Sequence, residues 1–251
     1  MFPTRISLVT YNLWNTQRWP LRQPALEQFV HLYHPDVLCI QELRAETQAF
    51  LDQSLPEHER VHDDLPGWTC ESNIYWKHDL FQEVAHGAKD VGMVEEHRRL
   101  FWVRLKLQGQ GRTIFVSTAH YTYQAHPAEV ETSLSPRLEQ TRRTVAALQR
   151  LVGENEPAFF MGDLNDPIHP PRILHEAGYV SCFGGLGIVC PPTMPCYPTK
   201  NVAAGRSSAS QTLDWLVSNQ HARPIAAQSP HCYHGDVAPS DHWPVLAVYE
   251  I

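Results

Sequence analysis

Five short clusters of carboxylate, amide and histidine residues punctuate this chain; four of them close apolar runs and the fifth directly precedes the last one. They are Thr10-Tyr11-Asn12, Gln41-Glu42, Thr118-Ala119-His120, Gly162-Asp163-Leu164-Asn165 and Ser240-Asp241-His242. Short apolar runs with polar closures read as buried strands. A fold that brings strand ends to one edge gathers these five into a pocket rich in oxygen ligands with two histidines. Hard divalent cations take oxygen ligands. A cation beside groups that move protons is what hydrolysis of a phosphate ester needs.

The roles divide by residue type. Glu42 directly follows an apolar run at residues 37–40 and Gln41, a position from which a carboxylate can hold a cation. His120 closes the run at residues 113–118 and, paired with an acid, donates protons near neutral pH. Gly162 permits a tight turn. Asp163 and Asn165, two residues apart, then offer an acceptor and an amide donor to the same side. That suits preparing a water and stabilising charge on a phosphoryl oxygen. Asp214 lies amid apolar residues in Thr212-Leu213-Asp214-Trp215-Leu216 and needs a partner. His242 is the candidate, in the manner of a dyad that orients an imidazole, and Asp241 is left to face a metal or its waters. Singly, each residue has a plainer reading: a turn Asn, a surface acid, a structural histidine. Order and shared placement make them a set.

The elements that must position them follow from the pattern. A buried strand at residues 6–11, a helix at 24–34 and a strand at 37–40 form a short β-α-β unit with parallel strands. Residues 45–55 read as a second helix. Hairpins are expected at 73–77 with 80–88, turned at His78-Asp79, and at 101–107 with 113–118, turned at Gly109-Gln110-Gly111. The strongest helix spans 134–152, with Ser135 as N-cap and Pro136 at its first position. A strand at 158–162, a short helix at 171–177, a long loop at 182–210, and strands at 212–218 and 245–251 complete the chain. The mixture of β-α units and hairpins implies mixed sheets layered with helices.

The bulk numbers narrow the class. At 251 residues one domain, 1–251, is expected. Apolar residues are 43% and charged residues 19%, against long disordered or coiled-coil stretches. The net charge of −7 weighs against a broad basic surface for long nucleic acid, although a bound cation supplies positive charge locally. None of the six cysteines forms a CxxC pair, which argues against zinc. Cys182, Cys190 and Cys196 lie close enough in sequence to pair on export, but reduced thiols are the expected state. No stretch approaches the length of a membrane span, so no membrane insertion is expected. Residues 1–5 lead into the first strand without a basic-then-apolar leader, and the expected compartment is cytoplasmic.

As an ordered set, Thr10-Tyr-Asn-Leu-Trp, Gln41-Glu42, Thr118-Ala-His120, Gly162-Asp-Leu-Asn165, Leu213-Asp214 and Ser240-Asp-His242 resemble the motifs of the endonuclease/exonuclease/phosphatase superfamily, the DNase I-like enzymes. The resemblance runs from about residue 6 to 251. It implies a four-layered α/β sandwich, two mixed β-sheets packed face to face with helices outside. It places Glu42 and Asn12 at a Mg²⁺ or Mn²⁺ ion, supported by Asp241. Asp163 would prepare the attacking water and Asn165 would hold a phosphoryl oxygen. His242, oriented by Asp214, would contact the scissile phosphate as base. His120, paired with Glu71, would protonate the leaving oxygen. Arg99 falls where many bacterial members carry an arginine.

The chain also departs from better-known members. Thr118-Ala119-His120-Tyr121 stands where Thr-His-Leu is usual, and no basic loop flanks the motifs. The segment Tyr121–His126 and the loop at 182–210 are expected to wall the substrate pocket. Their aromatics Tyr121, Tyr123 and Tyr197, with Pro191, Pro192 and Lys200, would stack on a base or cover an organic group. The expected activity is metal-dependent hydrolysis of phosphodiesters, nucleic acid, nucleotide or other small esters among them. A phosphomonoesterase, a sphingomyelinase-like phospholipase and an inactive binding module are the alternatives. The sequence assigns no oligomeric state.

Overall fold

Alternation along the first strand sets the architecture. Ile6 and Leu8 enter one apolar cluster, while Val9 and Tyr11 enter another on the opposite face. A strand buried on both faces belongs in the middle of a layered fold. The computed structural model describes residues 3–196 and 210–251. In chain order its elements are β1 (Arg5–Asn12), α1 (Trp19–Tyr33), β2 (Val37–Gln41), α2 (Ala45–Ser54), β3 (His58–Arg60), α3 (Gly67–Cys70), β4 (Ser72–Lys77), β5 (Phe81–Lys89), β6 (Leu100–Leu107), β7 (Thr113–His120), α4 (Pro127–Thr132), α5 (Pro136–Leu151), β8 (Ala158–Asp163), α6 (His169–Glu176), β9 (Val180–Ser181), α7 (Cys182–Gly185), β10 (Asp214–Ser218), β11 (Arg223–Gln228) and β12 (Val245–Glu250).

The strands form two six-stranded sheets, ordered β11-β12-β1-β2-β4-β3 and β5-β6-β7-β8-β10-β9. Each is built around one parallel pair, β1 with β2 and β7 with β8, flanked by antiparallel neighbours. The inner faces meet in one core that holds Leu8, Cys39, Ile74, Val103, Val116, Met161 and Val245. Leu26 and Phe29 of α1 and Leu51 of α2 cover the outside of the first sheet. Leu148 of α5 and Leu174 of α6 cover the outside of the second. This is the expected four-layered sandwich.

Register explains why chemistry collects at one edge. The parallel pairs end together, Asn12 beside Gln41 and His120 beside Asp163. Their antiparallel neighbours begin at that same level, with Ser72 opposite Gln41, Asp214 opposite Asp163 and Val245 opposite Thr10. Four strand ends and three strand starts therefore share one rim. Just beneath it Gln41 Nε2 donates to Thr118 Oγ1 at 2.8 Å, a buried link between the two sheets.

Several expectations need revising. The segments at 73–77 and 80–88 are not a hairpin: β4 lies in the first sheet and β5 in the second. β4 already has β2 and β3 on its two edges, so the turn at His78-Asp79 carries the chain across the sandwich. Helix α1 begins five residues early, at Trp19, because Pro20 fits a first turn that needs no amide donor. Ser135 stands at the N-cap of α5 but makes no capping bond. Strand β11 escaped the pattern, since its sequence Arg-Pro-Ile-Ala-Ala-Gln is an edge strand with little alternation. No disulfide joins any of the six cysteines. Among the described residues no helix is long and apolar enough to cross a membrane.

Candidate active site

The site centres on one oxygen atom. Asp163 Oδ2, at the end of β8, accepts a hydrogen bond from Asn12 Nδ2 at 2.9 Å. His120 Nε2 lies 3.5 Å from it and His242 Nε2 lies 3.8 Å from it. Each imidazole is turned by its own acid: His120 Nδ1 meets Glu71 Oε1 at 2.8 Å, and His242 Nδ1 meets Asp214 Oδ2 at 2.8 Å. Two histidine–acid pairs, one from each flank, thus aim their far nitrogens at the same carboxylate. An imidazole whose Nδ1 is bonded to a carboxylate presents Nε2 in a fixed tautomer and direction.

Local backbone makes the convergence possible. Gly162 has φ +150°, and a Cβ there would stand 2.0 Å from the Ala119 carbonyl oxygen, so only glycine lets β8 lie against β7. The next turn places Asn165 at φ 50°, with its amide N–H on Asp163 Oδ1 at 2.9 Å. Glu42 likewise has φ 55°, which lifts its carboxylate over the rim directly after β2. The Leu43 N–H donates to the Glu71 carbonyl at 3.0 Å, locking that turn to the start of β4. On the other side Ser240 Oγ donates to the Asn12 carbonyl at 2.7 Å and accepts from His242 N at 3.2 Å. The end of β1 and the approach to β12 are therefore one unit.

Buried Arg22 of α1 braces that unit from below. It donates to the carbonyls of Leu13 at 2.9 Å, Trp14 at 3.3 Å, Asn15 at 3.1 Å and Gln17 at 2.6 Å, and to that of Pro239. Among the described residues it meets no carboxylate directly. Burial lowers its pKa, with Tyr11, Asp241 and Glu42 opposing that shift through their charges.

The acids outnumber the cations that face them. Burial pushes the Asp241 carboxyl up to about 6; Glu42 and Asp163 add to the rise, against His242 and Arg22. Burial also disfavours a charged His242, yet Asp214, Asp163 and Asp241 outweigh it and hold its pKa well above the usual histidine value. A centre with such surplus negative charge and oxygen donors fits a hard divalent cation. Glu42 and Asp241, which feel each other's charge, could hold one. Asn15 Nδ2 fixes Glu42 Oε2 at 3.0 Å, and Asn12 Nδ2 reaches Glu42 Oε1 at 3.2 Å. Asp163, Asp214 and His242 also offer ligand atoms within 4.8 Å of one another. There, however, His242 and Asp214 are already bonded to each other, and Asp163 is held by Asn12 and Asn165. That trio is better matched to proton handling.

The expected residues fall into three groups. Asn12, Glu42, Glu71, His120, Asp163, Asp214 and His242 are joined by the contacts above, and Asp241 by the charges it feels from Glu42 and Asp163. Asn12 differs in detail from a metal ligand: its Oδ1 accepts from the Trp14 N–H at 2.8 Å, so it offers the centre a donor. Asn165 reaches the rim, with one amide hydrogen on the Tyr121 carbonyl at 2.9 Å and the other without a partner among the described residues. Tyr121 is not in the pocket. Its ring is fully buried in the outer core and its hydroxyl donates to Thr144 Oγ1 at 2.8 Å, because the inward-outward alternation of β7 continues past His120. Tyr123 is exposed and packs edge-on against His126. Arg99 turns to the Arg98 carbonyl, and it is Arg98 that stands at Glu71. Tyr197 and Lys200 lie outside the described residues. Pro191 accepts from Thr212 Oγ1, and Thr193 Oγ1 caps the Leu213 and Asp214 amides, so this arm of the loop does flank the site. Asn15, Arg22 and Arg98 were missed; the only sequence signal for Asn15 was its place three residues after Asn12.

A two-sheet α/β sandwich with an acid-rich rim and two oriented histidines defines a class of enzymes that attack phosphate esters with water. Residues 9–242 match the model of the Endonuclease/Exonuclease/phosphatase family, and the chain belongs to that family of phosphoester hydrolases. No curated protein matches it in sequence. Its fold is similar to that of D. rerio TDP2 complexed with single strand DNA product, with a TM-score of 0.78 and 15% identity over 99% of this chain and 100% of that one. A mannosyl-6-phosphatase from Bacteroides thetaiotaomicron gives 0.76 and 16% identity over 97% and 99% of the two chains. The human Nocturnin catalytic domain with bound sulfate gives 0.75 and 17% over 98% and 94%.

Proposed function

We propose that this chain is a Mg²⁺- or Mn²⁺-dependent phosphodiesterase that hydrolyses its substrate by in-line attack of water. The observation that carries this reading is the convergence of Asn12, His120 and His242 on Asp163 Oδ2. A cation held by Glu42 and Asp241 would supply charge to a phosphoryl oxygen. The chain's own groups do the rest. Asp163, with His242 beside it, orients the water and takes its proton as oxygen bonds to phosphorus. The His120 Nε2–H gives a proton to the leaving oxygen as that bond to phosphorus breaks. One water is consumed, and both histidines keep their Nδ1–H on their acids. Asn165 offers its remaining amide hydrogen to the phosphoryl oxygen, a contact of the kind worth about 2–4 kcal/mol in oxyanion sites.

The charge balance selects among substrates. The net charge of −7 weighs against a broad basic surface for a long duplex. A small phosphodiester or a single-stranded end fits better. The test is a panel of bis-p-nitrophenyl phosphate, p-nitrophenyl phosphate, single- and double-stranded DNA, RNA and sphingomyelin, run with Mg²⁺, Mn²⁺ or EDTA. Diester cleavage that needs the metal is expected. Cleavage of the monoester alone makes it a phosphomonoesterase, cleavage of sphingomyelin alone a phospholipase, and no turnover with either metal an inactive binding module.

A further inference from the structure

The loop between β5 and β6 carries a group that no motif pointed to. Arg98, whose side chain is only 12% exposed, stands with Nε 3.0 Å from Glu71 Oε1, an ion pair without the alignment of a hydrogen bond. Its Nη1 bonds Glu95 Oε1 at 3.1 Å and the Tyr121 carbonyl at 2.9 Å. That same carbonyl accepts from Asn165 Nδ2 at 2.9 Å. Glu95 is tied down in turn, its Oε2 accepting from Thr122 Oγ1 at 2.7 Å. Arg98 is thus held by two fixed partners and lies against the very oxygen that receives His120 Nδ1–H. Arg44, the other cation near Glu71, is 3.7 Å away and more exposed, at 39%.

We infer that Arg98 is a positioning residue: through Glu71 it fixes the direction of the His120 ring. The inference rests on the phosphodiesterase reading for its consequence but not for its geometry. Glu71 is buried and has one hydrogen bond, to His120, among the contacts described. A carboxylate on a rotatable two-carbon stem with one such bond can swing. A guanidinium anchored elsewhere closes that freedom, and its planar fork does so better than an ammonium could. Among the described residues Arg98 contacts neither Asp163 nor Glu42, so its effect reaches the reaction through Glu71.

The experiment separates positioning from folding and from general loss of function. Arg98→Met and Arg98→Lys are compared with the wild type on aryl and alkyl phosphodiesters of graded leaving-group strength. Imidazole ¹⁵N spectra of the same proteins report the His120 Nδ1–H bond without any need for turnover. For Arg98→Met, kcat is expected to fall about tenfold to a hundredfold on alkyl leaving groups, part of the span attributed to a proton donor. On p-nitrophenolate, which leaves without a proton, the fall should be under about threefold, with KM unchanged. Arg98→Lys should recover part of the loss, and the His120 Nδ1 signal should shift in Arg98→Met. Equal losses across the leaving-group series, or an unchanged Nδ1 signal in a folded variant, overturn the inference. If Arg98→Met does not fold, Arg98→Lys decides by the same two readouts. An inactive wild type sinks the phosphodiesterase reading instead, and the imidazole spectra still judge Arg98.

Discussion

At the scale of single residues, the proposed site relies on partners that hold its candidate groups in place. Asp214 shows this most sharply. Its Oδ2 holds His242 Nδ1, its backbone N–H is capped by Thr193 Oγ1 at 3.1 Å, and its Oδ1 has no hydrogen-bond partner among the described residues. Replacing it by Asn keeps the shape but presents an amide, so the ring flips its tautomer or loses its anchor. Asp214→Asn should therefore lower kcat by about a thousandfold or more, with little change in melting temperature; steady-state kinetics and thermal unfolding check both. A drop under tenfold would remove His242 from the mechanism. Residues of this kind were legible because chemistry confines them to strand ends. Arg98, Asn15 and Arg22 were not, because they act from loops or a helix on groups distant in sequence. An arginine surrounded by carbonyls leaves no mark in its own neighbourhood of the chain. The misjudged Tyr121 has the same origin: a tyrosine beside a candidate catalytic histidine looks like a substrate contact until the alternation of β7 is extended by one residue.

At the scale of elements, the rim depends on how closely β7 and β8 can approach. Gly162→Ala would place a methyl 2.0 Å from the Ala119 carbonyl oxygen, and that atom is backbone with nowhere to go. The variant should lose about 3 kcal/mol or more of stability, the level reached when overpacking and backbone strain combine. For a chain of this size that lowers the melting point by roughly 6–12 °C, and turnover should fall with it as Asp163 shifts. A variant that melts like wild type would mean the strands part easily. The far end of the same sheet has a different tie. Glu156 bonds Arg104 of β6 at 2.8 and 3.0 Å, Thr113 of β7 at 2.7 Å and the Gly153 amide at 2.8 Å. Burial alone would raise its pKa, but Arg104, Gly153 and Thr113 outweigh that and hold it below the usual value. A depressed carboxylate stabilises the fold above its unfolded value, about 4.3, and ceases to as pH falls through its folded one. Glu156→Gln should therefore melt earlier than wild type at pH 7, and the gap should close on acidification below pH 4. A gap constant with pH would assign the loss to packing. Of these elements, the parallel β1–β2 unit, the β6–β7 hairpin and helix α5 were legible from periodicity. The crossing from β4 to β5 was not, since which sheet a strand joins depends on edges already filled elsewhere in the fold.

At the scale of the whole molecule, the net charge of −7 and the acid-rich rim belong to one problem. Folding gathers Glu42, Asp163, Asp214 and Asp241 at one rim, where burial, with Glu42 and Asp163 adding to it, pushes the Asp241 carboxyl up to about 6. Arg22 lies beneath but is committed to carbonyls. A divalent cation at Glu42 and Asp241, as proposed, would relieve the repulsion, and since it would bind the folded chain only, it would stabilise the fold by mass action. At a hundredfold over its dissociation constant the gain is about 2.7 kcal/mol. That corresponds to a rise of roughly 5–10 °C in melting temperature for a chain of this size. The measurement is thermal unfolding in EDTA and in increasing Mg²⁺ or Mn²⁺, with sodium chloride matched for ionic strength because general screening acts on all the acids alike. Glu42→Ala should abolish the metal-dependent rise while melting in EDTA no lower than wild type, since it removes one of the repelling charges. A metal-dependent rise that persists in Glu42→Ala would move the ion to Asp163, Asp214 and His242. No rise in the wild type, with salt controls equal, would mean the rim tolerates its charge unaided and that the metal-dependent mechanism is wrong for this chain.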